Sequence, residues 1–250
     1  MQQEHRELRR DVPDSEHAVL FIHGICSSPV FFTDFYAHVP EDWSIRSVLI
    51  EGHGATTKDF SHSSMDEWRQ QIDDVVDEMA KQHRSILIVG HSMGTLFAIE
   101  QSVRRPDKIK ALFLLAVPLK ARPHVKAASQ SIRTALDLPS GDDPAVEAAK
   151  RLYSIEPDRK VWHYFGFIPR YYELLHVMQE TRARVPDVEV PCFVFQSRQD
   201  EIVSEKSYDM LAENPKIQLH WLEHSDHKYH PPKDKAFLLQ RFDALCQAIT

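Results

Sequence analysis

A serine between two glycines carries the clearest chemical signal in this sequence. Residues 90–94 read GHSMG; they follow the apolar run 85–89, and residues 95–103 resume helical spacing. This order predicts a strand, a sharp turn and a helix, with the Ser92 hydroxyl at the carboxyl edge of a sheet. A serine held at such a turn is suited to nucleophilic attack on an acyl carbon. For the bare motif, the alternative is an ordinary serine at the start of a helix.

The motif in this context resembles the α/β-hydrolase superfamily, and within it the carboxylesterases and monoacylglycerol lipases that carry GHSMG. The resemblance covers most of the chain outside a central segment, from about Ala18 to the C-terminal helix. It implies an α/β-hydrolase fold: a mostly parallel central sheet with helices on both faces. The implied activity is carboxylic ester hydrolysis through an acyl-enzyme on Ser92, and no cofactor is expected.

Two backbone amides are predicted to stabilise the oxyanion of the tetrahedral intermediate. The Met93 amide opens the helix after Ser92, and the Ile25 amide follows from the resemblance of His23-Gly24-Ile25 to the HG-x motif of the family. A plain strand-to-helix loop is the alternative for the second segment. Cys26 has no partner base nearby in the sequence, so we expect a bystander thiol.

The resemblance also implies the acid and the base that Ser92 needs. Asp200 and Val203 match the family's D-x-x-V element after a late strand, which makes Asp200 the predicted acid and leaves Glu201 as its competitor. Residues 225–227 match the S-x-H element, which makes His227 the predicted base. Asp226 replaces the commoner glycine of that element, so His224 and His230 stay open as alternatives.

A metal site is the competing interpretation of this histidine-rich end. Four histidines stand at positions 220, 224, 227 and 230. They span a strand end and a loop, so no shared helical face is implied, and no carboxylate motif accompanies them. We therefore predict no metal.

The elements that must position these residues are visible as apolar runs rich in β-branched and aromatic residues. Such runs predict strands at residues 18–22, 45–50, 85–89, 111–117, 192–196 and 218–222. Helical spacing separates several of them, as in residues 65–82, and this alternation predicts a parallel sheet covered on both faces.

The alternation stops after Pro118, and residues 119–189 contain no convincing strand. Residues 125–136, 145–153 and 171–184 have helical character, separated by turn residues at 139–141 and 166–169. We predict one hydrolase core formed by residues 1–118 and 190–250, with residues 119–189 inserted as a helical cap.

Composition excludes several partners. The 250 residues hold 30 Lys and Arg against 37 Asp and Glu, a formal charge of −7, so no basic field is available for nucleic acid. The N-terminal segment lacks the apolar stretch of a secretory signal, and no run is long enough to span a bilayer. Three cysteines without CxxC spacing argue against disulfides. We expect a cytoplasmic protein without integral membrane association; the sequence makes no prediction of subunit number.

Six aromatic rings lie close together in the predicted cap, at positions 162, 164, 165, 167, 171 and 172. They either pack the cap onto the core or line an apolar pocket beneath it. Both alternatives favour a small-molecule ester with an apolar acyl or aromatic group. A thioesterase or an acyltransferase with the same triad is the nearest rival, and a non-catalytic binding protein on the same fold is the rival of another class.

Overall fold

Every apolar run predicted to be a strand forms one. The computed structural model describes residues 5–122 and 125–249. Its central sheet has seven strands: Leu8–Arg10 (β1), His17–Ile22 (β2), Ser44–Val48 (β3), Ser85–His91 (β4), Ile109–Leu115 (β5), Cys192–Ser197 (β6) and Ile217–Leu222 (β7). The order across the sheet is β1-β3-β2-β4-β5-β6-β7. β1 pairs antiparallel with β3 and all other neighbours are parallel, so the predicted mostly parallel sheet is confirmed.

Helices connect the parallel strands. They are Thr33–Tyr36 (α1), Thr57–His62 (α2), Met65–Gln82 (α3), Met93–Arg104 (α4), Val125–Ala135 (α5), Pro144–Leu152 (α6), Phe167–Arg184 (α7), Lys206–Leu211 (α8) and Pro232–Ile249 (α9). Short 3₁₀ helices occupy Pro29–Phe32, Val161–Gly166 and Val185–Asp187. Within residues 5–122 and 125–249, none of the helices combines the length and apolar character needed to cross a membrane.

Successive side chains of the central strands enter two different cores. Leu20 and Ile22 of β2 pack in a cluster with residues of α3 and α4, whereas Val19 and Phe21 pack in a second cluster with α1 and α9. Successive side chains of a strand point to opposite faces of the sheet, so both faces are covered here. The sheet is therefore sandwiched between helices, as the α/β pattern predicts.

The segment between β5 and β6 is helical, but it has no core of its own. α5, α6 and α7 lie in it, and the described part of residues 119–189 contains no strand beyond a single bridge from Ala121 to Val203. Phe167, Val177 and Met178 of α7 are buried in the same cluster as α3 and α4. Leu152 of α6 belongs to the cluster on the other face, so the segment packs against both cores of the sheet.

The unit β4–turn–α4 depends on two glycines for space rather than for backbone freedom. Neither Gly90 nor Gly94 has a positive φ; Ser92 between them has φ 50°. A Cβ on Gly94 would lie 2.1 Å from the carbonyl oxygen of Ile22, and a Cβ on Gly90 would lie 2.9 Å from Thr95 Cα. The glycines therefore let α4 start directly against the end of β2.

The loop after β2 is held by two buried histidines. His23 Nδ1 bonds the Gly24 carbonyl at 2.9 Å, while its Nε2 accepts the Ile50 amide at 3.0 Å. His53 Nε2 accepts the Cys26 amide at 3.1 Å. These contacts require both rings to be neutral, and burial lowers the pKa of His53 to about 4 and that of His23 well below its ordinary value. Neutral imidazoles thus fix the path of residues 24–26.

Gly94→Ala tests the close approach of α4 to β2. We expect the free energy of unfolding to fall by about 3 kcal/mol, because the new Cβ collides with backbone that has no free space to move into. Gly141→Ala is the control: its Cβ would meet nothing nearer than 3.6 Å and is opposed only by a φ of +66°, a strain of about 1 kcal/mol. Equal losses in chemical denaturation would contradict the packing argument.

His53→Phe tests the role of the neutral imidazoles. At pH 7 we expect a loss of about 1–3 kcal/mol in the free energy of unfolding, because the buried Cys26 amide loses its acceptor. The wild-type protein should also lose stability as the pH falls from about 6.5 to about 4. In this range His53 binds a proton in the unfolded chain but stays neutral in the folded protein, where burial lowers its pKa. In His53→Phe that pH slope should decrease by about 1 kcal/mol per pH unit. An unchanged slope would refute the assignment.

Candidate active site

Ser92 sits on a strained turn at the carboxyl edge of the sheet. Its φ of 50° and ψ of −123° lie in a region that L residues rarely adopt, and surrounding contacts hold it there. The Ser92 amide donates to the Leu115 carbonyl at 2.9 Å, and the Ser92 carbonyl accepts from both the amide and the hydroxyl of Thr95. The side chain consequently points away from the sheet toward the loops that follow the later strands.

Ser92, His227 and Asp200, far apart in the sequence, are brought into one hydrogen-bonded line. Ser92 Oγ lies 3.0 Å from His227 Nε2, and His227 Nδ1 lies 2.8 Å from Asp200 Oδ2. All three residues are buried. With Asp200 ionised, Nδ1 carries the proton and donates to the carboxylate, which leaves the Nε2 lone pair facing the serine hydroxyl.

The structure distinguishes Asp200 from its neighbour Glu201. The other Asp200 oxygen accepts the amides of Ile202 and Val203 at 2.8 and 2.7 Å, so the carboxylate is fixed by its own loop. Glu201 does not meet the imidazole; its Oε2 accepts the backbone amide of His227 at 3.1 Å. Adjacent carboxylates thus contact the same histidine at different atoms, Asp200 at the ring and Glu201 at the main chain.

The other histidines of the C-terminal loop do not contact Ser92. His224 is exposed, and its backbone amide donates to Asp234. His230 packs edge-on against Phe31, and burial lowers its pKa to about 4. Within the described residues, no group of three or more His, Cys, Asp and Glu side chains is arranged to hold a metal ion.

The two amides predicted to bind an oxyanion flank Ser92. Met93 is the first residue of α4, so its N–H is one of those a helix leaves without an internal partner. On the other side, Gly24 approaches so closely that a Cβ there would lie 2.9 Å from Ser92 Cβ. His53 occupies the Cys26 amide, whereas Ile25 lines the cavity above the serine.

His91 is a site residue that motif reasoning did not single out. Its Nε2 bonds the His227 carbonyl at 3.0 Å, which requires the proton on Nε2, and its ring stacks on Phe31 with centroids 3.8 Å apart. Burial lowers its pKa well below the ordinary value, which keeps the ring neutral. His91 and Glu201 therefore hold the two backbone polar groups of His227. No spacing rule predicts contacts of this kind, because they depend on how two distant loops meet.

Ser92 opens into a large cavity with mostly apolar walls. Its volume is about 1060 Å³, and most of its lining residues belong to the helical segment 119–189. Only three of the six aromatic residues of the predicted cap line the cavity; Trp162, Phe165 and Tyr172 are exposed. Phe167 packs onto Phe60 with centroids 4.3 Å apart, and together with Tyr164 and Tyr171 it also lines the cavity.

Cys26, which also lines the cavity, is not set up as a nucleophile. Burial raises the pKa of its thiol to about 11, so the thiolate is disfavoured. Its Sγ lies 3.8 Å from the Tyr171 hydroxyl, a contact between the loop after β2 and α7.

Curated relatives of the chain are esterases. Residues of this chain are 31% identical over 111 positions to the pimeloyl-[acyl-carrier protein] methyl ester esterase of Neisseria meningitidis serogroup C, a match that covers 43% of this chain and 40% of that protein. The chain thus spans less than half the length of this relative. A carboxylesterase from Bacillus subtilis is 22% identical over 234 residues, with 90% of both chains covered.

A solved structure reported for LipS and LipT, two metagenome-derived lipolytic enzymes, has a TM-score of 0.72 with this chain at 19% identity and covers 98% of both chains. At this identity the likeness establishes the shared fold. The family model described as serine aminopeptidase, S33 (Hydrolase_4) matches residues 13–233, most of the chain. The chain therefore belongs to this family and has the α/β-hydrolase fold.

Proposed function

We propose that the chain is a carboxylic ester hydrolase that acts through an acyl-enzyme on Ser92. The observation that carries the proposal is the buried line Ser92–His227–Asp200 at the base of an apolar cavity. The geometry meets the requirement of nucleophilic catalysis: a nucleophile within reach of a base, and a base oriented by a third group.

The proposed reaction has two halves. Ser92 Oγ attacks the ester carbonyl carbon while His227 Nε2 takes its proton; the resulting oxyanion accepts hydrogen bonds from the Ile25 and Met93 amides. The intermediate collapses as His227 returns the proton to the departing alcohol. Water, deprotonated by His227, then attacks the acyl-enzyme, and the acid is released as Ser92 recovers its proton. Asp200 keeps His227 in the required tautomer throughout.

We propose that residues 119–189 act as a cap that limits the size of the substrate that can bind. Most of the cavity lining comes from this segment, and its apolar side chains favour an apolar acyl or aromatic group. The Cys26–Tyr171 contact supports a cap that rests on the loop beside Ser92. Small to medium acyl esters, including monoacylglycerol-like substrates, fit this arrangement.

Nitrophenol release from acyl esters of increasing chain length tests the proposed nucleophile. We expect wild-type turnover with an optimum chain length, and a loss of at least about 10⁴-fold in kcat for Ser92→Ala with the fold retained. Ser102→Ala, which removes a buried hydroxyl from the same helix, should keep wild-type rates.

Retained turnover in Ser92→Ala would disprove the assignment. Acyl thioesters and aminoacyl anilides are assayed in parallel. If only one of these classes is turned over, that class, and not esters, is the substrate.

A matched pair of substitutions tests the proposed acid. Asp200→Asn should lower kcat by about 10⁴-fold, because an amide in this position no longer holds the proton on Nδ1 of His227. Glu201→Gln keeps an oxygen for the His227 amide and should cost less than about tenfold. Rates of nitrophenyl ester hydrolysis check both variants, and the reverse order of effects would make Glu201 the acid.

A further inference from the structure

A lysine lies in the wall of the cavity directly beside the proposed base. Lys228 follows His227 in the sequence and lines the same cavity as Ser92, Ile25 and Cys26. It is half-buried, and among the described residues no carboxylate forms an ion pair with it. An ammonium group in such surroundings is costly unless a partner compensates its charge.

The two carboxylates that line the cavity have other partners within the described residues. Asp226 pairs with Lys126 at 3.0 Å, and Glu201 accepts the backbone amide of His227. Burial lowers the pKa of Lys228, and Cys26 and the Glu201 carboxylate only partly oppose this effect. The wall thus presents a positive charge whose hydrogen-bonding capacity is left for a ligand.

Catalysis of a neutral ester needs no such charge. Ser92, His227 and Asp200 form a complete hydrogen-bonded line without Lys228, and the backbone of His227 is already held by His91 and Glu201. Lys228 instead shares the cavity with Ser92, so a substrate held there is exposed to both residues.

We propose that Lys228 binds an anionic group, a carboxylate or a phosphate, carried by the ester substrate of the Ser92 site. The inference rests on the proposed function, because it names the substrate class of the same site. Lys228 is a specificity-determining residue here: it binds substrate and takes no part in proton transfer. The preferred ester is then amphipathic, with an apolar part against the walls of the cavity and an anionic group at Lys228.

Paired substrates that differ only in charge test this inference. One pair is ethyl hexanoate and monoethyl adipate, which carries a terminal carboxylate; the other is a monoacylglycerol and the corresponding 1-acylglycerol 3-phosphate. The variants are Lys228→Met, which keeps length and removes charge, and Lys228→Arg, which keeps charge. Lys81→Met, on the exposed end of α3, controls for the change in net charge.

We expect wild type to prefer the anionic member of at least one pair, and that pair identifies the group as carboxylate or phosphate. Lys228→Met should lower kcat/KM for that member by about tenfold or more, mainly through KM, because a binding contact is lost. The neutral member should change by less than about twofold. Lys228→Arg and Lys81→Met should keep the preference.

The absence of any charge preference in wild type, or equal losses on both members of a pair in Lys228→Met, would overturn the inference. Calorimetric binding of monoethyl adipate and the acylglycerol phosphate to Ser92→Ala, with and without Lys228→Met, gives a readout independent of turnover. Absence of ester hydrolysis with Lys228-dependent binding would contradict the proposed function alone. Hydrolysis of neutral esters without Lys228-dependent binding would contradict this inference alone.

Discussion

The first turn of α4 lies so close to the end of β2 that no side chain fits between them. This close approach fixes the positions of the backbone groups around Ser92. A Cβ on Gly94 would enter the backbone of Ile22, and a Cβ on Gly24 would enter the side chain of Ser92. Because the two chain segments touch through backbone, the Met93 amide, the Ile25 amide and the serine hydroxyl occupy one small region. The later loops bring His227 and Asp200 to that region.

Two buried neutral imidazoles help to hold the loops around Ser92 in place. His53 fixes the loop after β2, and His91 fixes the loop that carries His227. Both rings are buried among aromatic neighbours, where the charged form is disfavoured. Glu201 meets His227 only at its backbone amide, so Asp200 is the one carboxylate in contact with the His227 ring within the described residues. This suits a base that must become cationic during the proposed reaction.

Much of this arrangement was predictable from local pattern. The six apolar runs are strands, and the serine turn joins β4 to α4. His227 contacts both Ser92 and Asp200, while the catalytic roles of the three residues stay predictions. The edge strand β1 was not predicted, because two of its three residues are arginines and it contains no apolar run. The turn predicted at residues 166–169 is wrong from Phe167 onward: α7 begins there, since Pro169 lies in the first turn, where no amide donor is needed. Contacts between distant loops, such as that of His53 with Cys26, cannot be predicted from the spacing of residues in the sequence.

Mass spectrometry of a quenched reaction can detect the proposed acyl group on Ser92. Wild-type protein is mixed with excess nitrophenyl ester, quenched in acid during turnover and digested. We expect the mass of one acyl group on the peptide that contains Ser92, and none on the peptide that contains Cys26. Acylation of Cys26, or steady turnover with no acylated peptide, would contradict the proposal.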